Sequence, residues 1–142
     1  MRVVVLLCGP PGAGKTTAAR ASGLTVYDRD DPQWTNEKQF TTELAKLARD
    51  PRARAVVIRT AASSAARARA ASLIAATHTF LVTTEYDELV QRIRTRNRGD
   101  KVRTIAGVRT WLDRFDQHDN VKPFTGWHAI EEPDLGSVSE DW

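Results

Sequence analysis

Short apolar runs alternating with helix-period segments predict an α/β domain. The expected form is a three-layer sandwich, with helices on both faces of a mostly parallel sheet of four or five strands. Three observations carry that expectation. Val3–Leu7 is an unbroken run of valine and leucine, the composition of a strand buried on both faces. A glycine- and proline-rich loop, Gly9–Gly14, follows at once and opens a helix-forming segment. Beyond it, strand-like and amphipathic stretches alternate to about residue 115, with no internal repeat and no evident linker.

The elements follow in order. Lys15–Ser22 is a helix stopped near Gly23, and Leu24–Tyr27 a second short strand. Asp28–Asp31 is an acidic turn that Pro32 prevents from continuing as strand. Phe40, Leu44 and Leu47 recur at helical spacing, which predicts an amphipathic helix over Asn36–Arg49, with Pro51 beyond its end. Ala55–Ile58 is a third strand. Ser63–Ala76 is alanine-rich and helical by propensity, with Leu73 and Ile74 as its anchoring end. Thr79–Val82 is a fourth strand. Thr84, with Glu85 and Asp87 behind it, caps a further helix whose buried face is Tyr86, Leu89, Val90 and Ile93. Arg98–Arg103 is a polar break containing Gly99. Ile105, Val108, Leu112 and Phe115 mark a last helix, and Thr125–Ile130 is a candidate edge strand.

The 142 residues suit one compact domain. Residues 1–130 form the expected domain and residues 131–142 an acidic tail. No apolar run approaches the roughly 20 residues of a membrane span, and Val3–Cys8 lacks the sequel of a signal peptide. A soluble, cytoplasmic protein without membrane contact is expected. Cys8 is the single cysteine, which excludes an internal disulfide and a cysteine-cluster zinc site. Its place at the end of an apolar run predicts a buried, inert thiol. His78, His118 and His128 match no metal-ligand spacing.

The formal charge of +3 is unevenly spread. Residues 131–142 hold five acids and no Lys or Arg, so residues 1–130 carry a net +8. Arg92, Arg94, Arg96, Arg98, Lys101 and Arg103 face only Asp100 within their stretch. Such density suits either a polyanionic ligand or a solvated helix face.

Gly9-Pro-Pro-Gly-Ala-Gly-Lys-Thr16 fits the Walker A pattern G-x-x-x-x-G-K-[ST] at every fixed position. Glycines let backbone N–H groups converge on phosphate oxygens, and the following helix aims its N-terminus at the same anion. The candidate nucleotide site is therefore Gly9, Pro10, Pro11, Gly12, Ala13, Gly14, Lys15, Thr16 and Thr17. Lys15 supplies a cation to the β and γ phosphates of ATP or GTP, and the Thr16 hydroxyl is the candidate ligand for Mg²⁺. Motor ATPases and GTPases hold Mg²⁺ partly through an acid that ends another core strand. Here the third strand ends Ile58-Arg59-Thr60, which argues against a motor and removes one expected metal partner, unless Asp28 or Asp30 compensates for that partner.

A carboxylate in the Asp28-Arg29-Asp30-Asp31 turn can accept the proton of an attacking hydroxyl. Arg92 and Arg96 share one face of the fourth helix, and Arg94 and Arg98 another, so cations can surround a migrating phosphoryl group over a lid of about residues 92–103. Gly99 offers the lid a hinge.

The P-loop, the strand ending in Arg29-Asp30-Asp31, and Glu88-Leu89-Val90 leading to Arg98-Gly99-Asp100-Lys101 together resemble the 5′-kinase domain of phage polynucleotide kinases, over roughly Val3–Phe115. The resemblance implies a P-loop kinase-like fold with a helical, arginine-rich lid. It implies catalytic roles for Lys15, Asp30 as base toward a 5′-hydroxyl, and Arg98 on the transferring phosphate. The chain departs from that family in having no phosphatase domain and in ending its third strand with Arg59-Thr60, where the family tends to carry an acid. Candidate acceptor-binding residues are Asp28, Asp31, Trp34, Arg59 and Arg94. Arg59 suits an acceptor phosphate or a surface ion pair. Trp34 suits base stacking or the core, and Trp111 the core.

The leading expectation is an ATP-dependent kinase of a nucleic-acid 5′-hydroxyl or a hydroxyl on DNA, with a nucleic acid or nucleotide as acceptor. The alternatives are a small-molecule kinase of a nucleoside or nucleoside monophosphate, and a nucleotide-binding module that transfers nothing.

Overall fold

The computed structural model describes residues 1–83, 101–128 and 130. Its strands are β1 (Val3–Cys8), β2 (Thr25–Asp28), β3 (Arg54–Arg59), β4 (His78–Leu81) and β5 (Lys122–Pro123). Its helices are α1 (Lys15–Arg20), α2 (Glu37–Leu47), α3 (Ser64–Ile74) and α4 (Lys101–Arg114). The strands form one five-stranded sheet in the order β2-β3-β1-β4-β5, and every pairing is parallel.

β1 is central because it can be: all six of its residues are buried. The pleat sends Val4, Leu6 and Cys8 to one face, where they meet Phe40, Leu44 and Leu47 of α2, Ile74 of α3 and Trp111 of α4. Val3, Val5 and Leu7 point to the other face and pack with Ala19 of α1 and Ile130. These are the three layers expected from the sequence. Two helix starts are fixed by side-chain caps, Asn36 accepting from the Gln39 N–H at 2.8 Å and Ser63 from the Ala66 N–H at 3.1 Å. At the lower edge of the sheet, Arg2 donates to the carbonyls of Leu47 and Ile74, the last residues of α2 and α3. It thereby satisfies helix-end acceptors that have no partner within their helices.

The structure departs from the expected elements in three places. Thr125–Ile130 is not a strand. The fifth strand is Lys122–Pro123, held by β4 and followed by a Phe124 N–H donating to the Leu81 carbonyl at 2.8 Å. Gly126 then turns the chain at φ 132°, so Trp127 and Ile130 dip under α1 three residues apart instead of alternating. Lys101–Arg103, expected within a polar break, already belong to α4. Leu73 remains exposed, and Ile74 alone anchors the end of α3. The expected fourth helix from Thr84, most of the lid and the acidic tail lie outside the described residues.

β1 leads through α1 to β2, at the far edge on one side, and the chain later crosses to β4 on the other. In open parallel sheets, ligands sit beyond the carboxyl ends of the strands where the order reverses. That position here is the loop after β1.

Candidate nucleotide-binding site

The loop from Gly9 to Gly14 is shaped by contacts only glycine permits. A Cβ on Gly9 would lie 2.1 Å from the Val82 carbonyl oxygen, so the exit of β4 passes directly over the loop. Gly12 and Gly14 take φ values of 80° and 97°, in the left-handed region. Gly14 is also the N-cap of α1.

Lys15, the first residue of α1, is only 8% exposed. Its ammonium donates to the Gly9 carbonyl and, at 3.0 Å, to that of Pro10. Burial pushes the Lys15 pKa down to about 8, against the opposing pull of groups that include Asp28 and Asp30. Cys8, beneath the loop, is buried and its thiol is pushed up to about 12, chiefly by desolvation. It is neutral and inert, as expected.

At the next residue of α1, the Thr16 hydroxyl donates to Asp28 Oδ2 at 3.0 Å. The other oxygen of the same carboxylate accepts from the Asp30 N–H, also at 3.0 Å. Asp28 therefore ties the start of α1 to the end of β2 and fixes the turn that presents Asp30. Pro11–Gly14 of the loop, with Lys15, Thr16, Thr17, Asp28, Asp30 and Arg59, line one cleft of about 370 Å³.

The far wall of that cleft holds a charge cluster. Glu37 accepts from Arg59 at 2.8 Å and from Arg29 at 3.0 Å. These two bonds, Arg59's first, hold the Glu37 carboxyl below the usual carboxylate range. The Arg59 guanidinium also lies 5.4 Å from the Phe40 ring centroid. Thr60 ends the wall, its carbonyl accepting from Trp111 Nε1 at 2.6 Å and from the Gly9 N–H at 3.3 Å.

The structure thus brings Pro11–Thr17, Asp28, Asp30 and Arg59 together, while Gly9 and Pro10 act beneath the loop. Asp31 and Trp34 are not among the lining residues. Asp31 donates its N–H back to the Asp28 carbonyl to close the turn. Trp34 packs inward, stacked 6.4 Å from Tyr27 and edge-on at 5.2 Å to Phe40. Trp111 is buried against Phe115, as expected. Arg94 and Arg98 lie outside the described residues. Glu37 and Thr60 were not singled out by sequence. The signal for Glu37 was an acid at the start of the helix expected from Asn36, and that for Thr60 was its place at the end of the third strand.

The donor set suits Mg²⁺. Thr16 and Asp28 offer hard oxygens side by side, and this ion takes few protein ligands, with phosphate and water completing its shell. No cluster of three or more His, Cys, Asp or Glu among the described residues is arranged as a self-sufficient metal cage. No helix among them is long and apolar enough to cross a membrane.

A family model described as the ATPase family associated with various cellular activities (AAA) matches residues 5–126. The chain belongs to that family. Within it, β3 ends in Arg59-Thr60, and the carboxylate beside the P-loop hydroxyl comes instead from β2 as Asp28. The same fold recurs in solved kinases of low identity. A sugar kinase from Janibacter superposes with a TM-score of 0.63 at 14% identity, covering 98% of this chain and 95% of that one. A gluconokinase from Sinorhizobium meliloti gives 0.57 at 13%, covering 87% and 82%. A shikimate kinase from Acinetobacter baumannii, in complex with shikimate, gives 0.51 at 15%, covering 99% and 95%. No curated protein matches the sequence significantly. The chain is a P-loop NTPase with a kinase-like α/β fold.

Proposed function

We propose that this protein is an ATP-dependent kinase that transfers the γ-phosphoryl group to a hydroxyl of a small molecule. The observation that carries this reading is the placement of Asp30. Asp30 lines the same cleft as Lys15 and Thr16, on a turn fixed by the Asp28–Thr16 hydrogen bond.

The chemistry follows from the residues. The P-loop amides and Lys15 hold the β and γ phosphates, and Thr16 with Asp28 would hold Mg²⁺, which supplies charge neutralisation on the phosphates when bound. Asp30 accepts the proton of the acceptor hydroxyl as its oxygen bonds to the γ phosphorus. The bond to the β,γ-bridging oxygen breaks, and ADP leaves with that electron pair. Catalysis of this kind is mostly positioning and electrostatic stabilisation, which is what the cleft offers.

The small acceptor is favoured over the polynucleotide suggested by the phage-kinase resemblance. The cleft is of metabolite size. Arg29 and Arg59, the arginines of its wall among the described residues, are both committed to Glu37 and so are poorly placed to track a nucleic-acid backbone. The solved proteins that share the fold are named as kinases of gluconate, sugar and shikimate. The test is transfer of label from γ-labelled ATP to a panel of sugars, sugar acids, nucleosides, nucleoside monophosphates and 5′-hydroxyl DNA and RNA. Label on one or more small hydroxyl compounds is expected. Label on the nucleic acids alone would restore the polynucleotide reading.

A further inference from the structure

We propose that the acceptor is an anion, and that Arg69 and Arg114 bind its charged group in a second cleft joined to the phosphate cleft at Thr60. This rests on the kinase reading above and names its substrate class.

The second cleft, of about 500 Å³, runs between the P-loop residue Pro11, the start of α3 and the α4 residues Gly107, Thr110 and Arg114. Thr60 lines it and the phosphate cleft alike, so the two spaces meet at the end of β3. One arginine comes from each helical wall, Arg69 from α3 and Arg114 from the last turn of α4. Neither makes a hydrogen bond or ion pair among the described residues. Other arginines of the domain are committed: Arg29 and Arg59 to Glu37, Arg67 to Asp119, Arg2 to helix-end carbonyls. Two guanidinium groups that are uncommitted among the described residues and line one concave space suit an anion, since each presents a fork that matches a carboxylate or phosphate.

The floor of this cleft is built rigidly. Ala61 sits at φ 32°, a strained value for a residue with a Cβ. It is held there because buried Arg67 donates to the carbonyls of Ala61 at 3.1 Å and Ala62 at 2.8 Å, while Trp111 holds Thr60. Ala61, Ala62 and Ala66 line the space with methyl groups alone, leaving it open beneath the arginines. The alanine-rich start of α3 thus has a use beyond helix propensity. An acceptor that fits both clefts carries its reactive hydroxyl at the Asp30 end and a carboxylate or phosphate at the Arg69 and Arg114 end.

The test is calorimetric titration of the whole chain saturated with ADP and Mg²⁺, so that the P-loop cannot capture the added anion. The probes are glucose, gluconate and glucose 6-phosphate, which share a carbon skeleton and differ in charge. At least one anionic probe is expected to bind tenfold or more tightly than glucose, and its identity separates carboxylate from phosphate. Arg69→Gln and Arg114→Gln should each remove most of that preference and leave ADP affinity unchanged. Both arginines are exposed, so the variants should fold. Equal binding of glucose and the anions, no binding of either anion, or a preference that survives the double variant would overturn the proposal. A fall in ADP affinity would also overturn it, by assigning the arginines to the nucleotide. Arginine-dependent anion binding without phosphoryl transfer to any acceptor would sink the kinase reading and leave the anion site standing. Transfer to neutral sugars, unaffected by both substitutions, would do the reverse.

Discussion

Burial of Lys15 ties nucleotide binding to pH. With its pKa lowered from 10.5 to about 8, the side chain loses its proton on folding anywhere between those values. The unfolded chain binds more protons in that window, so this group's contribution to stability rises with pH there. Phosphates beside the amine reverse the preference and favour the ammonium. Nucleotide binding near pH 8.5 should therefore take up protons, and affinity should weaken as pH rises through about 8. Calorimetry of ADP binding in buffers of different ionisation enthalpy measures this, and no proton uptake would contradict it. Lys15→Ala should abolish productive nucleotide binding and the pH effect together. Asp28 and Asp30 of the turn should separate by phenotype. Asp30→Asn should lower turnover by roughly 10²–10⁴, the usual worth of a general base, with nucleotide affinity nearly intact. Asp28→Asn, acting through Thr16, should instead raise the Mg²⁺ concentration needed for half-maximal turnover. Reversed phenotypes would exchange the two roles.

Among the elements, α3 shows how one buried charge organises a helix and a loop. Arg67 is 1% exposed, and it reaches both oxygens of Asp119 at 2.8 Å as well as three backbone carbonyls. It pins α3 to the segment that leads into β5. Removing it as Arg67→Ala takes away the buried cation that these acceptors share and leaves Asp119 without its ion-pair partner, and a loss of about 3–5 kcal/mol in unfolding free energy is expected by denaturant titration. The Arg67 hydrogen bond holds the Asp119 carboxyl below its usual range. The stability it provides is present above the ordinary carboxylate pKa and is lost as pH falls through the lowered one. The Arg67 variant should show a correspondingly weaker dependence of stability on acid. Gly9→Ala, with its Cβ 2.1 Å from the Val82 carbonyl, should displace the loop and lose nucleotide binding. The sequence showed the regular parts of these elements because period and capping are local signals. The Phe40–Leu44–Leu47 stripe and the Walker A loop both fell where expected. Arg67 was invisible, since an arginine in an alanine-rich helix has every reason to be solvated until a distant Asp119 is brought beside it. β5 was misplaced because two residues containing a proline have no periodicity, and β4 alone creates them as a strand. Trp34 left stacking and core open, and only tertiary contacts with Tyr27 and Phe40 turned it inward.

At the scale of the molecule, the sheet order explains how separate loops build one cleft. The order places the P-loop after the central strand, the Asp28–Asp30 turn after β2, and Arg59 and Thr60 after β3 between them. All three come to the same edge of the sheet, so the P-loop, the acidic turn and the end of β3 converge on one cleft. Membership of the AAA family leaves water as the competing acceptor, and the difference between kinase and ATPase lies in where the phosphoryl group goes. The most direct measurement is the partition of γ-phosphate label between a hydroxyl acceptor and inorganic phosphate, followed with and without acceptor in the wild type and in Asp30→Asn. Acceptor-dependent ADP release, with most of the label on the acceptor and its rate reduced by roughly 10²–10⁴ in the variant, is the expected result. Label found wholly in inorganic phosphate, at a rate indifferent to every acceptor, would contradict it.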